Sequence, residues 1–156
     1  MNTLARTIAA GAAAGAAGTT VLNAITYLDM AVRARPASSA PEESARRLAH
    51  ALGTDIPGDE EQQQNRASGL GPLLGLGAGI GTGVLAATAR ALGWRPGRVL
   101  GTAATTGAVL LAANAPMTLL KVTDPRTWSA ADWASDILPH LGYGITADAL
   151  LRALEP

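Results

Sequence analysis

Three stretches without any charged side chain alternate with polar segments along the chain of 156 residues. Each stretch is 22 or 23 residues long: they run from Thr7 to Leu28, from Ala67 to Ala89 and from Val99 to Leu120. At about 1.5 Å per residue, an α-helix of this length crosses the roughly 30 Å of hydrocarbon in a bilayer. The pattern therefore predicts three membrane-spanning helices.

A fourth run, from Trp133 to Leu151, is long enough to span but carries Asp136, His140 and Asp148. We predict an all-α fold, a four-helix transmembrane bundle whose last helix is polar. The predicted helices of this single membrane domain, 1–156, cover about 4–30, 68–92, 97–120 and 130–153.

The polar loop 31–67 is predicted to hold a short amphipathic helix over about 40–52. Ser39 can cap it with Glu42 three residues later, and an apolar stripe follows at helical spacing. We expect this helix to lie on the membrane surface or on the loops.

Glycines recur at every fourth position in the first two long helices. In a water-soluble helix each would cost about 1 kcal/mol relative to alanine, whereas in a bilayer GxxxG spacing lets helix backbones approach closely. The second helix has two such rows on either side of a ridge of bulky apolar residues, which predicts a neighbour on each side and leaves room for one of them to belong to another subunit. The predicted packing glycines are Gly11, Gly15, Gly71, Gly75, Gly77, Gly79, Gly81 and Gly83.

Polar side chains recur at one depth of the predicted bundle. In up-down order, Asn23, Asn114 and His140 lie about 10 Å below the same interface, at 1.5 Å per residue. Asp29 and Asp136 lie above this layer.

Within the last helix, Asp136, His140 and Tyr143 share a face. Ionisable residues inside a membrane usually face a bundle interior or a water cavity. One interpretation is a packing network in which Asp136 pairs with Lys121 or Arg126. The alternative is a pathway on which His140 exchanges protons with Asp136.

The connection between the second and third helices carries Arg90, Arg95 and Arg98. By the positive-inside rule it is predicted to be cytoplasmic, together with the N- and C-termini. Beside it, Asp148 and Arg152 have the i,i+4 spacing of an ion pair. At the opposite interface, Ser129 and Asp132 have the spacing of a helix cap.

The sequence lacks the residues that several classes of function require. Zero net charge argues against a nucleic-acid partner, and the absence of cysteine excludes disulfides and thiol chemistry. Two histidines without ligand spacing predict no metal site, and we expect no cofactor. An apparent GxGxxG in the second helix follows no strand, and no nucleophile and base are arranged for catalysis, so we do not expect an enzyme.

The segment from Pro116 through DPRTWSAADWASDILPHLGYG resembles the uncharacterised YagU-like small bacterial inner-membrane proteins. The shared features are a Pro-Met helix end, a tryptophan-containing loop, and a Ser-acid-hydrophobic pair leading to His140 and Leu141. The resemblance implies a multi-pass protein of the plasma (inner) membrane and carries over no functional residue.

From these patterns we expect a structural or accessory membrane protein. It would lie in the lipid bilayer and assemble through Gly/Ala-rich helix faces, as a homo-oligomer or with a larger membrane partner. The alternative is a channel or transporter for protons or a small solute, built on the polar layer.

Overall fold

A computed structural model describes residues 3–154, and in that range it contains α-helices and a short 3-10 turn but no β-strand. The predicted all-α class is confirmed. The helices are α1 (Thr3–Arg33), α2 (Ala40–Ala51), α3 (Glu60–Ala91), α4 (Arg98–Leu119) and α5 (Ala130–Leu154), and the 3-10 turn is Pro125–Thr127.

The four long helices form a ring in which α1 lies between α3 and α5. Helix α4 closes the ring, and it packs more extensively against α5 than against α3. Three of the described helices, α1, α3 and α4, are long and apolar enough to cross a membrane. Helix α5 is comparable in length but carries the polar residues noted above.

Helix α3 begins at Glu60, well before the predicted start near residue 68. The side chain of Asp59 caps it by accepting a hydrogen bond from the N–H of Gln62 at 2.9 Å. Residues 60–67 have no apolar periodicity, so their sequence predicts a polar connector. They form a helix nonetheless, because Glu and Gln are good helix formers. They pack on α2 through a small cluster of Ala45, Ile56 and Ala67.

Helix α2 packs mainly on the first part of α3 and also reaches the end of α4. Arg47 donates hydrogen bonds to the carbonyl oxygens of Leu120 at 3.1 Å and Lys121 at 3.0 Å, and so occupies acceptors at the end of α4. The predicted cap by Ser39 is wrong, because its side chain makes no capping hydrogen bond and its backbone already has near-helical angles. The cap predicted for α5 is confirmed, since Asp132 accepts from both the N–H and the hydroxyl of Ser129.

Helices α1 and α3 approach until their backbones touch. A Cβ added at Gly15 would lie 2.6 Å from the carbonyl oxygen of Gly79 and 2.7 Å from the Cα of Ile80. Gly11 and Gly83 meet in the same way one turn further along. Only glycine, which has no side chain, therefore fits at Gly11, Gly15 and Gly83.

Tyr143 of α5 fills the centre of the ring. Its side chain is fully buried and its ring lies against Gly18 of α1, where an added Cβ would come within 2.6 Å. Its hydroxyl donates to the carbonyl oxygen of Gly79 at 2.6 Å. Beside it, Gly144 faces the hydroxyl of Thr106 on α4. Tyr143 thus contacts α1 and α3, and the glycine that follows it contacts α4.

We expect Gly83→Ala to lower the free energy of unfolding by about 2 kcal/mol, because the new methyl group would push α1 and α3 apart. Gly75→Ala is the matched control in the same helix: within the described chain, nothing lies within 4 Å of a Cβ at Gly75. Thermal unfolding in mild detergent, followed by circular dichroism, measures both. Equal stability of the two variants would contradict the close packing.

Candidate functional site

Asn114, Asp136 and His140 form a polar cluster between α4 and α5. The side-chain N–H of Asn114 donates to Asp136 Oδ2 at 2.8 Å. His140 Nδ1 lies 2.7 Å from the backbone oxygen of Asp136 and 3.4 Å from its Oδ1. The side chains of His140 and Asp136 are only 11% and 16% exposed, so the cluster is largely shielded.

The helical period brings Asp136 and His140 together one turn apart on the inner face of α5. Because a carbonyl oxygen only accepts hydrogen bonds, the short contact with the backbone of Asp136 assigns an N–H to Nδ1 of His140. Asn114 Oδ1 is buried without a hydrogen-bond partner among the described residues. The cluster therefore holds a carboxylate, an imidazole and an unused acceptor.

The structure does not bring Asn23 or Asp29 into the polar cluster. Asn23 is exposed on α1. Asp29 pairs instead with Arg35 at 2.5 Å and with Arg33 at 3.3 Å. Arg33 in turn donates to the hydroxyl of Ser135 at 2.7 Å, so this end of α1 is tied to α5.

The pairing of Asp136 with Lys121 or Arg126 is wrong. Asp136 is occupied by Asn114 and His140, and Arg126 pairs with Asp124 at 2.8 Å in its own loop. The hydrogen bond from Arg126 holds the pKa of the Asp124 carboxyl below its usual value.

Tyr143 lies on the face of α5 that carries the cluster, but its hydroxyl reaches α3 at Gly79 rather than the cluster. Its position at the centre of the core gives it a packing role.

A second buried charge cluster, which we call the arginine–aspartate cluster, lies at the other end of the bundle. It contains Arg90, Asp148 and Arg152. Asp148 accepts from Arg90 and, at 2.9 Å, from Arg152, and the side chains of Arg90 and Asp148 are only 5% and 3% exposed. Thr102 lies 3.4 Å from the same carboxylate, and Gly101 leaves room for it.

The i,i+4 pair of Asp148 and Arg152 is the part that the spacing predicted, and it is confirmed. The sequence did not indicate that Arg90 belongs to a buried cluster, because an arginine close to a helix end is typical of the charged residues that flank a membrane segment. The available signal was the isolated carboxylate of Asp148, which lies at the same depth and needs a buried partner.

The polar cluster joins α4 to α5, and the arginine–aspartate cluster joins α3 to α5. No group of three or more histidines, cysteines or carboxylates capable of holding a metal occurs within residues 3–154. A polar surface groove lined by Arg46, Asp59 and Gln63 lies between α2 and the start of α3, remote in the chain from both clusters.

Arg90→Met should lower the free energy of unfolding by about 3 kcal/mol, because it removes one partner of a buried ion pair. Arg126→Met removes an exposed arginine from a loop pair and should leave the unfolding temperature unchanged. Thermal unfolding of both variants in the same detergent is the measurement. An Arg90→Met protein as stable as the Arg126→Met protein would contradict a structural role for the arginine–aspartate cluster.

Comparison of the chain with protein-family models, with curated proteins and with solved structures found no match. The resemblance to the YagU-like proteins therefore stays a prediction.

Proposed function

We propose that this chain is a small integral membrane protein of structural or accessory type. It crosses the bilayer with α1, α3, α4 and α5, and it assembles with a second copy of itself through an open glycine face of α3. The observation that carries the proposal is that one of the two glycine rows of α3 has no packing partner within the described chain.

The proposal that α5 also spans rests on where its polar atoms lie. Asp136, His140 and Asp148 are turned inward and take part in the two clusters. Its outer surface is apolar, with Ile137, Leu138, Leu141 and Ile145 all exposed. Lipid would therefore meet an apolar helix, which offsets the low average hydropathy of the segment.

Tryptophans at both ends of the bundle fit the same arrangement. Trp94 follows α3 at one end, whereas Trp128 and Trp133 pack edge to face at the other, with ring centroids 5.0 Å apart. Tryptophan is enriched at both membrane–water interfaces. The two ends thus mark the headgroup levels of a spanning bundle.

The open glycine face is the surface of α3 around Gly77 and Gly81. A Cβ added at either position would meet no atom of residues 3–154 within 4 Å. Three exposed leucines, Leu73, Leu74 and Leu85, flank it. The flat backbone between bulky side chains is self-complementary, so a second copy can pack on it about a two-fold axis.

The distribution of charge supports an orientation. One end, which we call the basic end, carries a single carboxylate among the described residues, Asp148. Its arginines are Arg6, Arg90, Arg95, Arg98 and Arg152. At the other end carboxylates outnumber basic side chains. The positive-inside rule counts basic residues close to the helix ends, and the concentration of Arg90, Arg95 and Arg98 in the short connection between α3 and α4 supports an orientation in the plasma membrane in which the basic end, with both termini, faces the cytoplasm.

Self-association in detergent tests the assembly. We expect Gly77→Ile and Gly81→Ile to raise the dimer dissociation constant about tenfold or more, because a branched side chain would hold the backbones apart. Gly107→Ile, at an open glycine of α4, is the matched control and should leave it unchanged. Sedimentation over a range of protein concentrations measures the constant.

Two results would contradict the assembly. One is a wild-type protein that stays monomeric at every concentration. The other is a dimer that both isoleucine variants retain, which would place the interface elsewhere. If the assembly disappears only when a co-purifying membrane protein is removed, the partner is that larger protein rather than a second copy of this chain.

A second candidate function is a pathway for protons or a small solute. It is favoured by the unused buried acceptor, Asn114 Oδ1, beside the Asp136–His140 pair. A buried acceptor without a partner is costly unless water or an ion reaches it. In this candidate function the imidazole of His140, which contacts Asp136 in the same cluster, is the group that exchanges protons.

Ion and proton flux into liposomes tests the pathway. If the cluster conducts, His140→Ala and Asp136→Asn should both abolish flux while the protein stays folded. No flux in any variant, with a lower unfolding temperature for His140→Ala, would identify the cluster as dry packing and remove this candidate.

A further inference from the structure

The basic end carries positive charge that has no partner within residues 3–154. Arg90 and Arg152 share the carboxylate of Asp148. Arg6, Arg95 and Arg98 are exposed, and they make no side-chain hydrogen bond or ion pair with the rest of the described chain. Three exposed cations gathered at one end of a protein of zero net charge indicate a partner of negative charge there.

The connection that carries Arg95 is held in place from inside. Arg152 of the arginine–aspartate cluster donates to the carbonyl oxygen of Pro96 at 2.8 Å. Gly93 has a positive φ of 99°, and the N–H of Trp94 donates to the carbonyl oxygen of Ala89 at 3.0 Å. The backbone of the connection is therefore held in place, which lowers the entropy cost of ordering it when a ligand binds.

The surroundings of the exposed arginines are apolar. Trp94 is half exposed, and Leu92, Val99 and Leu100 are each more than half exposed on the adjoining ends of α3 and α4. A free phosphate ion would contact the arginines but would make no favourable contact with these apolar side chains. A phospholipid uses both, because its phosphate meets the guanidinium groups while its acyl chains lie against the apolar side chains.

We propose that Arg95 and Arg98, with Trp94 beside them, bind the headgroup of an anionic phospholipid at the basic end. The site takes a phosphodiester of net negative charge, such as phosphatidylglycerol, in preference to the zwitterionic phosphatidylcholine. It rests on the proposed membrane location but not on self-assembly or on a pathway.

Native mass spectrometry of the detergent-solubilised protein, with equal amounts of phosphatidylglycerol and phosphatidylcholine, measures the preference. We expect the wild type to retain phosphatidylglycerol. The double variant Arg95→Gln, Arg98→Gln should lose about 30-fold of that preference, which corresponds to about 1 kcal/mol for each arginine.

The double variant Lys121→Gln, Arg126→Gln is the matched control, because it removes two exposed cations from the opposite end. It should keep the wild-type preference. Phosphatidylglycerol should also raise the unfolding temperature of the wild type and of this control, but not that of the Arg95→Gln, Arg98→Gln protein.

Three results would overturn the lipid site: equal retention of both lipids by the wild type, equal loss in the two double variants, or full competition by inorganic phosphate at matched ionic strength. Extraction of membranes with alkaline carbonate separates these failures from failure of the membrane proposal. A chain that stays in the membrane without lipid preference refutes only the site, whereas a chain released by carbonate refutes the membrane location.

Discussion

The backbone contact between α1 and α3 is the constraint on which the remaining structure depends. Gly15 and Gly79 bring the two helices so close that no side chain fits between them, and dispersion contacts then act along their whole length. The same closeness exposes the carbonyl oxygen of Gly79 to the centre of the ring, where the hydroxyl of Tyr143 reaches it. The position of α5 thus follows from the glycines of its neighbours.

In the proposed membrane arrangement, α5 combines a polar sequence with an apolar surrounding by turning one buried carboxylate inward near each of its ends. Asp136 is held by Asn114 of α4, and Asp148 is held by Arg90 of α3. Both contacts need a particular rotation and height of α5, so together they fix its register against two different helices. Polar groups whose burial is costly therefore specify one arrangement of a core otherwise made largely of small residues.

The sequence carries the class of the fold because uncharged runs and helical periodicity are local properties. The sequence indicates less about which helix faces contact each other, because those contacts join residues that are distant in the chain. Helical period placed Gly77 and Gly79 on different faces of α3, but only the packing shows that Gly79 lies inside and Gly77 outside. Likewise, depth along a helix placed Asn23 beside Asn114, whereas the rotation of α1 turns Asn23 outward. The role of Arg90 as a buried ion-pair partner follows only from its contact with Asp148 in the folded protein.

The composition of α1 has a consequence for how the protein is made. Between Ile8 and Val21 this helix has no large apolar side chain, and alanine and glycine contribute little to insertion into lipid. The surfaces that cover it belong to α3 and to Tyr143, which leave the ribosome later. In the proposed membrane arrangement, α1 therefore depends for its burial on segments that are made after it. A chain that ends before Tyr143 would, in that arrangement, leave a small-residue surface of α1 open to lipid.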